Sequence, residues 1–394
     1  MSGGTDALRV IVMGYLVRGP LGGMAWSDVQ YLDCLAASGH DVLYVEDSDD
    51  YASCYDPRTN ETTADPAYGL DFAQRSLEAI GLGDRWAFYD AHTGAWLGPA
   101  GERAVRTIGD ADVVLNLAGV NPLREWAAGV PLRVYVDQDP AFTQLRNITD
   151  EGRRELTAAH NAFATFAENF GNEGCTVPDD GFAWFPTRQP VRAERFTPSE
   201  PLPNAPFTTV MQWESYPGLS HEGIELGMKS KSFAEIERLP QMEEQTFELA
   251  VGAPSEVRAR IEAAGWLTCD PRDPTETIDS YESYLQSSRA EIGIAKHGYV
   301  STRSGWFSER SLAYMVCGRP VVARDTGFSD WLPVGTGLHA FIDVDGAAEA
   351  VRAVSADPAL HGRAAAAIAA EHFDGRRVVR DLLENAQRSA RASL

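Results

Sequence analysis

The stretch GWFSERSLAYMVCGRPVVARDTGFSDW, residues 305–331, decides the fold of this chain. It predicts a helix that starts at Ser304 or Ser308 and ends at Gly318, then a short strand and a glycine loop, Asp325-Thr326-Gly327. A helix start has free N–H groups and a partial positive charge, and a glycine lets the main chain approach a ligand. In open parallel sheets, ligands bind at the carboxyl ends of the strands. The stretch therefore predicts a site for an anion such as a diphosphate, with an ordinary core helix and turn as the alternative.

The same alternation of strand and helix occurs in both halves of the chain. LRVIVMG (8–14), a glycine-bearing loop, a helix ending near Gly39 and DVLYVED (41–47) open the first half, and strands resume from FTTVMQW (207–213). Six prolines between Phe185 and Phe207 predict a stiff connector. We therefore expect an α/β protein with two facing Rossmann-like, doubly wound domains and a C-terminal helical tail that can pack back on the first domain. The expected bounds are 1–195, 196–370 and 371–394.

Composition and charge restrict the possible partners. The net charge of −23 disfavours nonspecific binding to nucleic acid. No apolar run approaches the roughly 18 residues of a membrane helix, and no basic segment precedes the first apolar stretch, so we expect a cytoplasmic protein without a membrane span. The five cysteines are scattered, which argues against a disulfide framework or a zinc site.

The quoted stretch also resembles a known family. Its core, Cys317-Gly318-Arg319-Pro320-Val321-Val322 followed by Asp325-Thr326-Gly327-Phe328, looks like the donor-binding half of GT-B glycosyltransferases. TRQPV (187–191), AKHGYVSTRSGWFS (295–308) and HGRAAAAIAAEHFD (361–374) are similar to the same bacterial, family 1/4-like subgroup. The resemblance implies transfer of a hexosyl or related sugar from a UDP-, GDP- or TDP-sugar to a small-molecule or glycan acceptor in the cleft between the domains. It also implies no metal and no other cofactor.

The resemblance suggests which residues would contact the donor. Arg303 and the backbone from Ser304 to Ser308 are expected at the phosphates, with Lys296 and Lys229 next. Asp325, Thr326 and Gly327 would face the sugar. Ala313 stands where many family members have a ribose-binding Glu, so Glu309, one turn earlier, is expected to replace it. The complete donor set is Gly22, Gly23, Lys229, Lys296, Arg303, Ser304, Gly305, Trp306, Ser308, Glu309, Asp325, Thr326 and Gly327. A surface charge is the alternative for each basic residue, and a plain turn for Gly22-Gly23.

An inverting transfer also needs a base for the acceptor hydroxyl. Asp139 and Asp137 end the strand LRVYVDQDP (132–140) at the expected edge of the cleft, and either can instead cap a helix. Glu168 and His160 are further candidates. We expect Asp139→Ala to spare donor binding and remove transfer, and Arg303→Ala to weaken donor binding.

Other sequence signals are less specific. Asp47-Ser48-Asp49 has the D-x-D form of metal-dependent transferases, but it follows a single βαβ unit, too early for their fold. Glu46 lies at about the Rossmann distance from the first glycine loop, yet GYLVRGPLGG does not match G-x-G-x-x-G, which disfavours NAD. A sugar-nucleotide epimerase and a noncatalytic sugar-nucleotide-binding protein remain as alternative functions on the same fold.

Overall fold

A computed structural model describes residues 7–202 and 204–392. The described part contains two large sheets, two small hairpins and helices on both faces of each sheet. The strands are β1 Arg9–Met13, β2 Asp41–Asp47, β3 Cys54–Asp56, β4 Glu61–Thr63, β5 Trp86–Asp90, β6 Ala95–Leu97, β7 Val113–Leu117, β8 Leu132–Asp137, β9 Ala162–Thr165, β10 Trp184–Pro186, β11 Phe207–Gln212, β12 Leu219–His221, β13 Ile224–Leu226, β14 Phe247–Gly252, β15 Leu267–Cys269, β16 Ala290–Gly293, β17 Val321–Arg324 and β18 Leu338–Phe341. The helices are α1 Gly22–Ala37, α2 Ala67–Glu78, α3 Ala104–Gly109, α4 Glu125–Ala128, α5 Phe142–Thr149, α6 Glu151–Ala158, α7 Lys229–Phe233, α8 Ser255–Ala263, α9 Arg272–Thr275, α10 Ile278–Ser287, α11 His297–Ser301, α12 Glu309–Val316, α13 Val344–Ala356, α14 Pro358–His372 and α15 Gly375–Ala392.

Both large sheets have doubly wound strand orders. The first runs β10-β9-β8-β7-β1-β2-β5-β6, with only the β5–β6 pair antiparallel, and the second runs β15-β14-β11-β16-β17-β18, entirely parallel. The strand order reverses between β1 and β7 in the first sheet and between β11 and β16 in the second. Such switch points leave a crevice at the carboxyl ends of the strands, where ligands bind. The predicted fold class is confirmed.

We call the first sheet with α1–α6 and α15 the first lobe, and the second sheet with α7–α14 the second lobe. Apolar residues of α15, including Val379, Leu382 and Leu383, are buried in the same core as the strands of the first sheet. The chain therefore crosses between the lobes twice. The two crossings pair with each other, because Val191 N–H donates to Phe373 O and Gly375 N–H donates to Val191 O. The expected domain bounds stay a prediction, and residues 1–6, 203, 393 and 394 within them lie outside the described part.

One local prediction is corrected by the structure. Gly22 and Gly23, expected in a loop, form the first turn of α1. A Cβ on Gly22 would lie 2.0 Å from Thr277 O of the second lobe, so the absence of a side chain lets the two lobes approach.

None of the helices in residues 7–202 and 204–392 is both long and apolar enough to cross a membrane.

Candidate functional site

A cleft of about 1150 Å³ lies between the two lobes. Its first-lobe wall includes Gly14 and Tyr15 after β1 and Ala118 after β7, and its second-lobe wall includes the ends of β11 and β14 at Gln212 and Gly252. The walls therefore meet at the carboxyl ends of both sheets, beside the switch point of the first sheet. This is the position at which a doubly wound protein binds its ligand.

Helix α12 begins at the cleft. Ser308 is its N-cap, because the side-chain oxygen accepts a hydrogen bond from Arg310 N–H at 3.2 Å. Of the two predicted helix starts, the structure therefore selects Ser308. Glu309 and Arg310, in the first turn, both line the cleft. Farther along the helix, Ala313 is buried in the core of the second lobe, so this position cannot contact a ligand.

Arg310 is a fixed, buried cation in the cleft wall. Its side chain is 9% exposed, and its Nε lies 2.6 Å from Oε1 of Glu291, which is fully buried. Its Nη1 also donates to Val210 O at 3.2 Å. The negative charge of Glu291 holds the Arg310 side chain in place without the need for a ligand. Arg310 is part of the quoted stretch but was not among the residues predicted to contact the donor.

Lys229, at the start of α7, faces the same cleft. The other two lysines are paired, Lys231 with Glu225 and Lys296 with Asp139, whereas in the part of the chain that the structure describes no ion pair holds Lys229. Burial lowers the pKa of Lys229 to about 7, and the positive charge of Arg310 acts in the same direction. An anion bound between Lys229 and Arg310 would offset both the burial of the lysine charge and the repulsion between the two positive charges. This corner of the cleft therefore suits a phosphate.

Three of the predicted donor residues line the cleft: Gly23, Lys229 and Glu309. Trp306, Ser308 and Thr326 line a small pocket beside it, which shares Arg310 with the cleft. Thr326 is buried, and its hydroxyl donates to Trp306 O at 2.5 Å.

The first lobe covers the loop that was expected to hold the phosphates. Asn169 N–H donates to Ser304 O at 3.1 Å, and its side-chain amide donates to Gly327 O at 3.0 Å. A Cβ on Gly305 would lie 2.8 Å from Asn169. These residues therefore form a contact between the lobes, and neither they nor Arg303 line the cleft.

Arg303 and Asp325 have local partners of their own. Arg303 Nη2 pairs with Asp330 at 2.9 Å, and both side chains are about half exposed, at 50% and 49%. The Asp325 carboxylate accepts hydrogen bonds from Gly327 N–H and the Ser329 hydroxyl, which fixes the turn. Gly327 itself has φ +94°, a conformation that favours glycine.

Both carboxylates that were expected to act as the base, Asp137 and Asp139, already have hydrogen-bond partners within the protein. Asp137 is fully buried, and its oxygens accept hydrogen bonds from Asp139 N–H and from the side chains of Thr143, Gln144 and Thr165. It supports the end of β8 and the start of α5, so the structure does not support Asp137 as a base. It is not an N-cap either, since α5 begins after Ala141.

Asp139 lies at the centre of a cluster that joins the lobes. Its carboxylate accepts hydrogen bonds from Lys296 Nζ at 2.8 Å, Tyr299 Oη at 2.5 Å, Arg146 Nη1 at 3.3 Å and Tyr216 Oη. Although burial opposes it, Lys296 and these donors lower the pKa of Asp139. A carboxylate with four donors and a lowered pKa is a poor base, so neither Asp139 nor Lys296 suits its expected role.

We expect Asp139→Ala to weaken the contact between the lobes and lower the free energy of unfolding by about 2–3 kcal/mol, because Lys296 loses its counter-ion in a partly buried position. Urea unfolding measures this change. Arg303→Ala is the matched control, since it removes an exposed ion pair between Arg303 and Asp330 and should cost less than about 1 kcal/mol. Equal losses in the two variants would contradict the assignment.

Gly22→Ala should destabilise the closed arrangement of the lobes by about 1–3 kcal/mol, because the new Cβ would overlap Thr277 O. Gly23→Ala is the control, since its Cβ would meet only side chains, the Tyr281 ring at 3.3 Å and Thr275 Cγ2 at 3.6 Å. Thermal unfolding and small-angle scattering of both variants test this. Equal melting temperatures and equal radii of gyration would count against a tight contact at Gly22.

The remaining candidates have structural partners. Glu168 pairs with Arg188, and burial lowers the pKa of His160 to about 4. In the D-x-D segment, Asp47 pairs with Arg124 at 2.6 Å. Among the residues that the structure describes, no group of three or more His, Cys, Asp or Glu side chains could hold a metal ion.

The fold is similar to those of several solved structures. An alpha-glucosyltransferase in complex with UDP and a 13-mer DNA superposes with TM-score 0.58 at 12% identity, over 97% of this chain and 100% of that one. Anabaena HepE in complex with UDP and glucose gives TM-score 0.54 at 12% identity, over 96% and 99%. A glycosyltransferase from Rickettsia africae gives 0.53 at 12% identity, over 98% and 99%.

No protein-family model matches this sequence, and no curated protein matches it. The likeness to solved structures is therefore one of architecture, and it extends over nearly the whole chain. Two doubly wound lobes face each other across one cleft, and the last helix returns to the first lobe. The chain has the GT-B fold.

Proposed function

We propose that this protein is a glycosyltransferase that moves a sugar from a nucleoside-diphosphate sugar to a hydroxyl group of an acceptor bound in the cleft. The observation that supports this most is a pair of cations in the cleft wall: Lys229 at the start of α7, which has no ion pair among the described residues, and buried Arg310 in the first turn of α12. Two cations and a helix start can stabilise the charge on a departing diphosphate without a bound metal. Similar structures contain UDP, or UDP and glucose, which supports the same substrate class.

In this proposal the second lobe binds the donor. Glu309 faces the cleft in the first turn of α12 and is the candidate for a hydrogen bond to the ribose, in place of the Glu absent at Ala313. Val251, Gly252 and Ala253, at the end of β14, line the same wall and offer main-chain groups to the base. UDP, GDP and TDP sugars are all candidates.

The first lobe would then bind the acceptor, and we propose a small hydroxylated molecule or a glycan. Its wall carries Tyr15, Tyr51 and Tyr55, side chains that can pack against a sugar ring and donate hydrogen bonds. The cation on this wall, Arg18, is 1% exposed and pairs with Glu46. One similar structure contains DNA, but a net charge of −23 disfavours a polyanionic acceptor here.

A thermal-shift screen with UDP-, GDP-, TDP- and ADP-glucose tests the proposal, since a ligand that binds only the native state raises the melting temperature. The expected result is a shift with at least one nucleotide sugar, followed by slow release of its nucleoside diphosphate when an acceptor panel is added. The panel should include monosaccharides, phenols and duplex DNA. Conversion of the nucleotide sugar alone into its epimer would identify an epimerase instead. Binding without any turnover would indicate a noncatalytic sensor.

A further inference from the structure

The carboxylate of Asp28 lies on the first-lobe wall of the cleft and lacks the partners that the nearby buried carboxylate of Glu46 has. Asp28, in the second turn of α1, is 6% exposed and lines the cleft. Its Oδ2 accepts a hydrogen bond from Tyr15 N–H at 2.7 Å. A Cβ on Gly14 would lie 2.3 Å from this oxygen, so the glycine that follows β1 leaves the space that the carboxylate occupies.

Asp28 has no counter-ion and no partner for Oδ1 among residues 7–202 and 204–392. Its neighbour Glu46 is different, because it accepts hydrogen bonds from Val17 N–H, Arg18 N–H and the Tyr44 hydroxyl and also pairs with the Arg18 side chain. A carboxylate that serves only to hold the fold normally has its oxygens satisfied. Asp28 therefore has one oxygen fixed by the main chain and one available to a ligand.

The surroundings of Asp28 favour a proton acceptor at neutral pH. Burial raises its pKa to about 7, the hydrogen bond from Tyr15 opposes this, and the negative charge of Glu46 adds to it. The charge of Asp28 also raises the pKa of two nearby hydroxyls, those of Tyr31 and Tyr44. Burial is the larger cause and holds both pKa values well above the ordinary value of 10. A general base is most effective when its pKa lies near the working pH.

We propose that Asp28 is a catalytic residue that accepts the proton of the acceptor hydroxyl, an inference that rests on the proposed glycosyl transfer. The hydroxyl oxygen forms a bond to C1 of the donor sugar, and the bond between C1 and the diphosphate oxygen breaks. The electron pair leaves with the diphosphate toward Lys229 and Arg310, and the proton passes to the Asp28 carboxylate. Base and cations are on opposite walls of the cleft, so the transfer should invert the configuration at C1.

Asp28→Asn tests the assignment, because an amide oxygen can still accept the hydrogen bond from Tyr15 N–H but cannot take a proton. UDP-glucose serves as the donor, or the GDP, TDP or ADP analogue that binds, with methanol as a surrogate acceptor. The variant should bind the donor within about 3-fold of the wild type and release nucleoside diphosphate roughly 100- to 10,000-fold more slowly. In the wild type, kcat should fall as the pH drops below about 7, and this dependence should be absent from the variant. The product from the α-linked donor should be methyl β-glucoside.

Asp33→Asn is the matched control. Asp33 is also buried on α1, but it pairs with Arg192 at 2.9 Å and does not line the cleft, so that the folded variant should keep the wild-type rate. Two results would overturn the role of Asp28: a wild-type rate in Asp28→Asn, or methyl α-glucoside as product. A wild-type protein that binds donor yet releases no diphosphate between about pH 5 and 9 would instead overturn the proposed transfer itself. If no nucleotide sugar binds at all, the proposed function itself fails.

Discussion

Replacing Arg310 with methionine is expected to weaken binding of a nucleotide sugar roughly 10- to 150-fold and to lower the free energy of unfolding by about 3–5 kcal/mol. The first effect follows from the loss of a fixed cation at the diphosphate. The second follows because the fully buried carboxyl group of Glu291 would lose its ion pair with Arg310. Calorimetry with UDP-glucose and urea unfolding measure the two effects separately.

A double variant separates binding from folding. In Arg310→Met/Glu291→Met both charges are gone, so the stability should largely return, while the affinity for the donor should stay low. Arg324→Met is the matched control, since Arg324 pairs with Glu235, whose side chain is 38% exposed, and does not line the cleft. Recovery of donor affinity in the double variant would show that Arg310 acts only through the fold.

Lys229→Met should lower kcat/KM for release of the nucleoside diphosphate roughly 100-fold or more, because it removes a charge that stabilises the leaving group. Lys231→Met is the matched control on the same helix. Lys231 is 45% exposed and pairs with Glu225, so its loss should change the rate less than about 3-fold. Equal effects in the two variants would contradict a specific role for Lys229.

Because the pKa of Lys229 is lowered, donor binding should depend on pH. Above pH 7 the free protein holds this side chain mostly neutral, whereas a bound diphosphate favours the ammonium ion and raises its pKa again. Donor binding at pH 8 should therefore take up close to one proton, and affinity should fall up to about 10-fold per pH unit above 7. Calorimetry in two buffers of different ionisation enthalpy detects the uptake, which should disappear in Lys229→Met.

The sequence was sufficient to predict the fold because the signals are local. Each signal can be recognised within a short stretch of sequence. The signals are the alternation of apolar strands and helices, the proline-rich connector and the serine at the start of α12. The start of α1 was misplaced for the opposite reason. Gly22 resembles a loop residue until Thr277 of the other lobe is known to lie against it.

The site was predictable in part. Lys229 and Glu309 were expected from the resemblance to GT-B glycosyltransferases, and both line the cleft. Arg303, Ser304 and Gly305 have the same local pattern, but Asn169, more than a hundred residues earlier in the chain, covers this segment. A contact between residues so far apart in the sequence cannot be predicted from the local pattern of residues 303–305.

Two site residues were missed because their chemistry depends on distant neighbours. Arg310 is an ordinary helix cation by sequence, and only the buried Glu291 shows that it is fixed at the cleft. By sequence Asp28 is an ordinary polar residue of α1. Only the structure places Glu46 and the main chain of Gly14 beside its carboxylate. A glycine directly after the first strand, followed by an acid early in the next helix, is the signal that could have identified it.

The return of α15 to the first lobe affects how the protein can be made. Val379, Leu382 and Leu383 complete the apolar core around the first sheet, yet a ribosome translates them after the whole second lobe. Until α15 has been translated, the first lobe therefore has an uncovered apolar groove beside α1. In the cell, that nascent lobe is where a chaperone should bind, until the helix emerges and displaces it.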